Sequence, residues 1–114
     1  MKLLIAGSRT VKRFDLSPHI PPETELIISG GAAGVDTLAE RYADAHGISK
    51  LILRPDYRRY GRAAPLKRNE RMVELADALV IIWDGSSRGT DYTHNYAKQL
   101  GKPIDLVLLA ENEL

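Results

Sequence analysis

A chain of 114 residues with a formal net charge of +1 suits one domain, and its surface as a whole is no electrostatic trap for nucleic acid. With no cysteine it has no disulfide framework, thiolate nucleophile or zinc–thiolate site, and no apolar stretch approaches the roughly 20 residues that span a bilayer. The N-terminus reads straight into a strand, without the regions of a signal peptide, so the expected location is the cytoplasm and no membrane partner is expected.

The apolar run 2–6 predicts the first strand. Residues 10–24 are hard to read, because Pro18, Pro21 and Pro22 oppose a long helix, so a short helix or loop is expected there. Residues 25–29 predict a second strand. Val35, Leu38, Ala39, Tyr42 and Ala43 then share one face of a helix that Gly47 ends. A third strand is expected over 50–53 and a loop over 55–61. A helix over 64–76 follows, with Leu66, Asn69, Val73 and Ala76 on one side. Residues 78–83 predict a fourth strand, and 89–100 a helix with Thr93, Tyr96, Ala97 and Leu100 aligned. Gly101 and Pro103 stop that helix before a fifth strand over 104–109. Strands alternating with helices predict a doubly wound parallel sheet.

Each of three apolar runs leads into a turn bearing glycine: Gly7-Ser8-Arg9, Ser29-Gly30-Gly31-Ala32-Ala33-Gly34, and Asp84-Gly85-Ser86-Ser87-Arg88-Gly89-Thr90. In parallel sheets ligands collect at the carboxyl ends of the strands, where these turns lie. Glycine lets backbone N–H groups approach a ligand, and a helix N-terminus favours an anion. The pattern points to a phosphate- or nucleotide-binding domain, with Gly30 expected at positive φ. The second turn lacks the spacing of the dinucleotide fingerprint and the Lys-Ser/Thr of a Walker A loop, so standard dehydrogenase and ATPase readings lose support. Each turn can also be a tight strand-to-helix connection without a ligand. Asp36 either complements a helix dipole or accepts a ribose hydroxyl. Ser87 suits an N-cap, while Gly89 and Thr90 suit phosphate. Arg9 is a cation at a strand end.

Residues 54–71 carry seven Lys and Arg against Asp56 and Glu70, with Tyr57 and Tyr60 interleaved. A solvated face is the first reading of most of these cations; a phosphate clamp or a single-strand nucleic-acid surface is the other. Arg68 and Asn69 stand apart, because Asn69 falls on the apolar stripe. His19, His46 and His94 lack metal-ligand spacing, so no metal and no other cofactor is expected.

Taken together, Gly7-Ser8-Arg9, Ser29-Gly30-Gly31-Ala32 with Gly34 and Asp36, Pro55-Asp56 with Gly61 and Ala64, Arg68-Asn69 with Met72, Ala76-Asp77-Ala78, and Trp83-Asp84-Gly85 with Ser87, Gly89 and Thr90 resemble the SLOG superfamily, in particular its small YspA-like members. The match spans nearly the whole chain, in order. The superfamily includes the Lonely Guy phosphoribohydrolases, DNA-processing protein A, and members thought to sense or process nucleotides and ligands such as ADP-ribose. The resemblance implies a single Rossmann-like three-layer domain over 1–114 with a five-stranded, mainly parallel sheet, a nucleotide pocket at the carboxyl ends of strands one, two and four, and a homodimer. It also implies two departures. The hydrolases carry Gly-Thr-x-x-Glu with a catalytic glutamate, where this chain has Thr93, and the first crossover is short. Arg68 matches a hydrolase arginine.

The expected function is therefore binding of a nucleoside phosphate or an ADP-ribose-like ligand. The expected contacts come from Gly7, Ser8, Arg9, Ser29, Gly30, Gly31, Gly34, Asp36, Arg68, Asn69, Trp83, Asp84, Ser87, Gly89 and Thr90, with Tyr57, Tyr60 or Trp83 shielding the base. The first alternative is a nucleotide N-glycosidase, whose catalytic candidates are Arg68, Asp84 and Asp91. The second is single-stranded nucleic-acid binding through residues 54–71.

Overall fold

The computed structural model of the chain describes residues 1–110. β1 (Lys2–Gly7) and β4 (Ala78–Trp83) lie at the centre of the sheet, each with four consecutive residues buried. Such runs have no polar face because helices cover both sides of the strand. β2 (Leu26–Ser29) flanks β1, while β3 (Ser49–Ile52) and β5 (Ile104–Leu108) form the edges. The order is β3-β2-β1-β4-β5 and every pairing is parallel.

The chain winds outward from β1 to β3, then returns across the sheet to β4 and β5. Right-handed crossovers running in opposite directions place their connections on opposite faces. α1 (Val35–Ala45) and the 8–25 connection therefore cover one face, and α3 (Ala64–Leu75) with α4 (Arg88–Gln99) the other. Side-chain alternation divides the core accordingly. Leu3, Ile5, Val80 and Ile82 meet α1, whereas Leu4, Ala6, Leu79 and Ile81 meet α3 and α4. This is a Rossmann-like three-layer domain, and the turn from outward to return winding leaves a crevice between the carboxyl ends of β1 and β4.

Several local expectations change. The first crossover contains only a 3-10 turn, Ser17–His19, yet Val11 and Leu16 are buried and do a helix's work of covering the sheet. The 55–61 loop contains a single helical turn, α2 (Tyr57–Tyr60), capped by Asp56, whose Oδ1 accepts from the Arg59 N–H at 3.2 Å. Leu66 and Leu100 are 39% and 43% exposed rather than packed on the sheet. Leu66 lies in the first turn of α3, and Leu100 is the residue that caps the C-terminus of α4. No helix of the described residues is long and apolar enough to cross a membrane.

Candidate functional site

The first turn is built by close backbone approach. A Cβ on Gly7 would lie 2.1 Å from the Ile82 carbonyl oxygen and 2.6 Å from Val35 Cγ2. Only glycine lets β1, β4 and α1 converge there. The Ser8 N–H donates to Ile82 O at 3.0 Å, and its Oγ accepts from the Asp84 N–H at 3.0 Å. Ser8 is fully buried and fastens the first turn to the third. Gly34 has φ +77°, and a Cβ there would come within 2.4 Å of Ser8 O, so sterics and dihedral both require glycine.

The second turn satisfies itself. Ser29 Oγ accepts from the Gly31 N–H at 3.2 Å and Asp36 Oδ2 from the Ala32 N–H at 3.1 Å. These N–H groups are spent before any ligand arrives. Gly30 is not at positive φ, contrary to expectation. Its missing side chain instead makes room for other groups, since a Cβ would meet Arg68 Nη1 at 2.9 Å and Asp36 Oδ2 at 3.0 Å.

Arg68 reaches over this turn from α3. Its Nη1 donates to Gly30 O at 2.7 Å and Leu53 O at 3.2 Å, and its Nε to Asn69 Oδ1 at 2.8 Å. Asn69 is buried because it holds the guanidinium, which explains an amide on an apolar stripe. Burial raises the Asp36 carboxyl above its ordinary value, and the Ala32 N–H and the Arg68 charge only partly oppose it.

The third turn is organised by Asp84. Its Oδ1 accepts from the N–H groups of Ser86 and Ser87 at 2.9 and 3.0 Å, and its Oδ2 from Thr10 Oγ1 at 2.9 Å. The Ser86 N–H leads the interactions that hold this carboxyl well below the usual range. Ser87 caps α4, its Oγ accepting from the Thr90 N–H at 3.5 Å. The Gly89 N–H, one position earlier, has no partner among the described residues.

These parts enclose a cleft of about 440 Å3. Gly7, Arg9, Asp36, Arg68, Asn69 and Asp84 line it, as do Ser87, Gly89 and Thr90. Ser8, Ser29, Gly30, Gly31 and Gly34 lie behind that wall and shape it. Trp83 is turned aside, its indole N–H donating to Ser87 O at 3.1 Å. Asp91 is exposed and does not line the cleft, and neither does Tyr57 or Tyr60. Thr93 does line it, with its hydroxyl donating to Gly89 O at 3.0 Å. Thr10, Pro65, Leu66 and Met72 also line it and were not expected. Of the apolar members of that set, Leu66 is exposed and Pro65 half-buried, while Met72 is buried. Leu66 carries a sequence signal in retrospect, as a leucine in the first turn of a helix starting beyond the sheet edge. No three His, Asp or Glu side chains among the described residues gather as metal ligands.

The fold and cleft define a Rossmann-like α/β domain with a crevice at its switch point, lined by both arginine and aspartate side chains. Its sequence is similar to the Gene 61 protein of Mycobacterium phage D29, with 29% identity over an alignment of 116 positions that covers 90% of this chain and 93% of that one. No family model matches the chain, and no solved structure matches it.

Proposed function

We propose that the chain binds a nucleoside phosphate or related nucleotide ligand in the cleft between β1, β2 and β4, as a SLOG-like sensor or processing domain. One observation carries this reading. Arg9, Arg68 and the uncapped Gly89 N–H line a single crevice at the sheet's switch point, together with an apolar shelf of Pro65 and Leu66. Phosphate would rest against the α4 N-terminus and the arginines, ribose near Asp36, and the base on the shelf. Arg9 makes no ion pair or side-chain hydrogen bond among the described residues, so Arg9→Ala removes charge without untying the fold. It should weaken nucleoside phosphates by about 1–2 kcal/mol and leave the matching nucleosides unchanged. Calorimetric titration of both ligand series measures this, and equal losses for both would count against a phosphate contact.

A second reading, N-glycosidase action on a nucleoside monophosphate, is favoured by Asp36, a buried cleft carboxyl whose raised pKa suits proton transfer. The first reading is preferred because Thr93 stands where the resembled hydrolases have glutamate. Base release from AMP, GMP, CMP and ADP-ribose should be slow or absent. Robust turnover that disappears in Asp36→Asn would make the chain an enzyme.

A further inference from the structure

A second cleft of about 470 Å3 lies on the other side of Arg68, between the Leu53–Tyr60 segment and the outer face of α3. Each cleft falls within the roughly 300–1,000 Å3 of small-molecule sites, so one mononucleotide would leave a cavity spare. The second cleft is rich in cations, and its carboxylates are already engaged. Asp56 caps α2. Glu70 pairs with Lys67 at 3.6 Å and accepts from the Tyr92 hydroxyl. Glu74 pairs with Arg71 at 3.8 Å and accepts from the Tyr96 hydroxyl at 2.8 Å. Arg54, Arg59 and Arg68 are left without an ion pair among the described residues.

These arginines are not scattered. A Cβ on Gly31 would meet Arg54 Nη1 at 2.8 Å, and one on Gly30 would meet Arg68 Nη1 at 2.9 Å. The two guanidinium groups thus flank one turn. Arg59 lies over the Tyr60 ring, 5.2 Å from its centroid, which leaves an aromatic and a cation together at the cleft wall. Arg68 lines both clefts. Of its five N–H groups, three serve Gly30, Leu53 and Asn69. Only the Nη2 pair remains for a ligand. One bridging phosphate can use that pair; separate phosphates in the two clefts would compete for it.

We propose that the second cleft is a further subsite continuous with the first, and that the ligand is a dinucleotide, two nucleoside halves joined by a phosphate bridge on Arg68. The first half occupies the cleft between β1 and α4, and the second stacks on Tyr60 beside Arg54 and Arg59. This proposal rests on the nucleotide reading of the first cleft.

The test is calorimetric titration of the full chain with AMP and GMP, with linear, cyclic and diphosphate-bridged dinucleotides, and with a single-stranded oligonucleotide. At least one phosphate-bridged ligand should bind one per chain and about tenfold or more tighter than either mononucleotide. Arg59→Ala and Tyr60→Ala should each erase much of that advantage and leave mononucleotide affinity unchanged, which separates this subsite from the first. The proposal is overturned if mononucleotides bind as tightly as every bridged ligand, if two mononucleotides bind independently, or if both variants bind bridged ligands as the parent does. Tight oligonucleotide binding with a steep salt dependence, and none by dinucleotides, would replace it with a nucleic-acid strand. Mononucleotide binding that survives these outcomes leaves the first reading standing, and failure of every ligand overturns both.

Discussion

At the residue scale, two aspartates on neighbouring turns respond to burial and hydrogen bonding in opposite ways. Asp36 is buried, and its carboxyl is raised above the unfolded value of about 3.9. Its contribution to stability is full below the unfolded pKa and is lost as pH rises through the folded one. Asp84 accepts several hydrogen bonds and its carboxyl is lowered, so its contribution is present above the unfolded pKa and lost as pH falls through the folded one. Asp36→Asn should therefore raise Tm near pH 7, with the gain shrinking towards pH 4. Asp84→Ala should lower Tm near pH 7, with the loss shrinking in strong acid. Thermal melts across pH would show the two slopes. Parallel curves for both variants would contradict this account of the site's charges.

At the element scale, the positive-φ glycines separate strain from crowding. Gly34 is both strained and pressed on Ser8 O, whereas Gly47 has φ +65° with nothing within 4 Å of a Cβ. Gly47→Ala should cost about 1 kcal/mol from conformation alone. Gly34→Ala should cost clearly more, on the order of 2 kcal/mol or above, because the first two turns must part. Urea unfolding reads both, and equal costs would mean the turns are not packed as described. The same scale shows what local pattern conveys. The face of α1 was legible, because Val35, Ala39 and Ala43 are buried against the sheet and Leu38 and Tyr42 pack partly buried beside them. Leu66 and Leu100 were misleading because periodicity does not reveal how far the end of a helix is covered. The 10–24 crossover was illegible because Val11 and Leu16 are buried by tertiary packing with no repeat to announce them.

At the scale of the whole molecule, the parallel α/β architecture followed from the alternation of apolar runs and helices, the strand order did not, and most residues expected at the site do line or support one cleft. Tertiary geometry altered the details. The glycine turn spends its own N–H groups, Trp83 faces away, and the apolar lining is aliphatic rather than aromatic. None of these is encoded in residue spacing. Salt dependence separates a nucleotide ligand from a nucleic-acid strand, because the affinity of a nucleic-acid interface falls steeply with salt.

The most direct measurement of the central claim is a two-dimensional amide NMR titration of the chain with a nucleoside phosphate. Shifts should concentrate at Gly7–Thr10, at Ala32–Asp36 and at Gly89–Thr93, with the Gly89 amide among the most affected. Saturating ligand that leaves those amides unmoved, or shifts confined to Tyr57–Arg62, would contradict it.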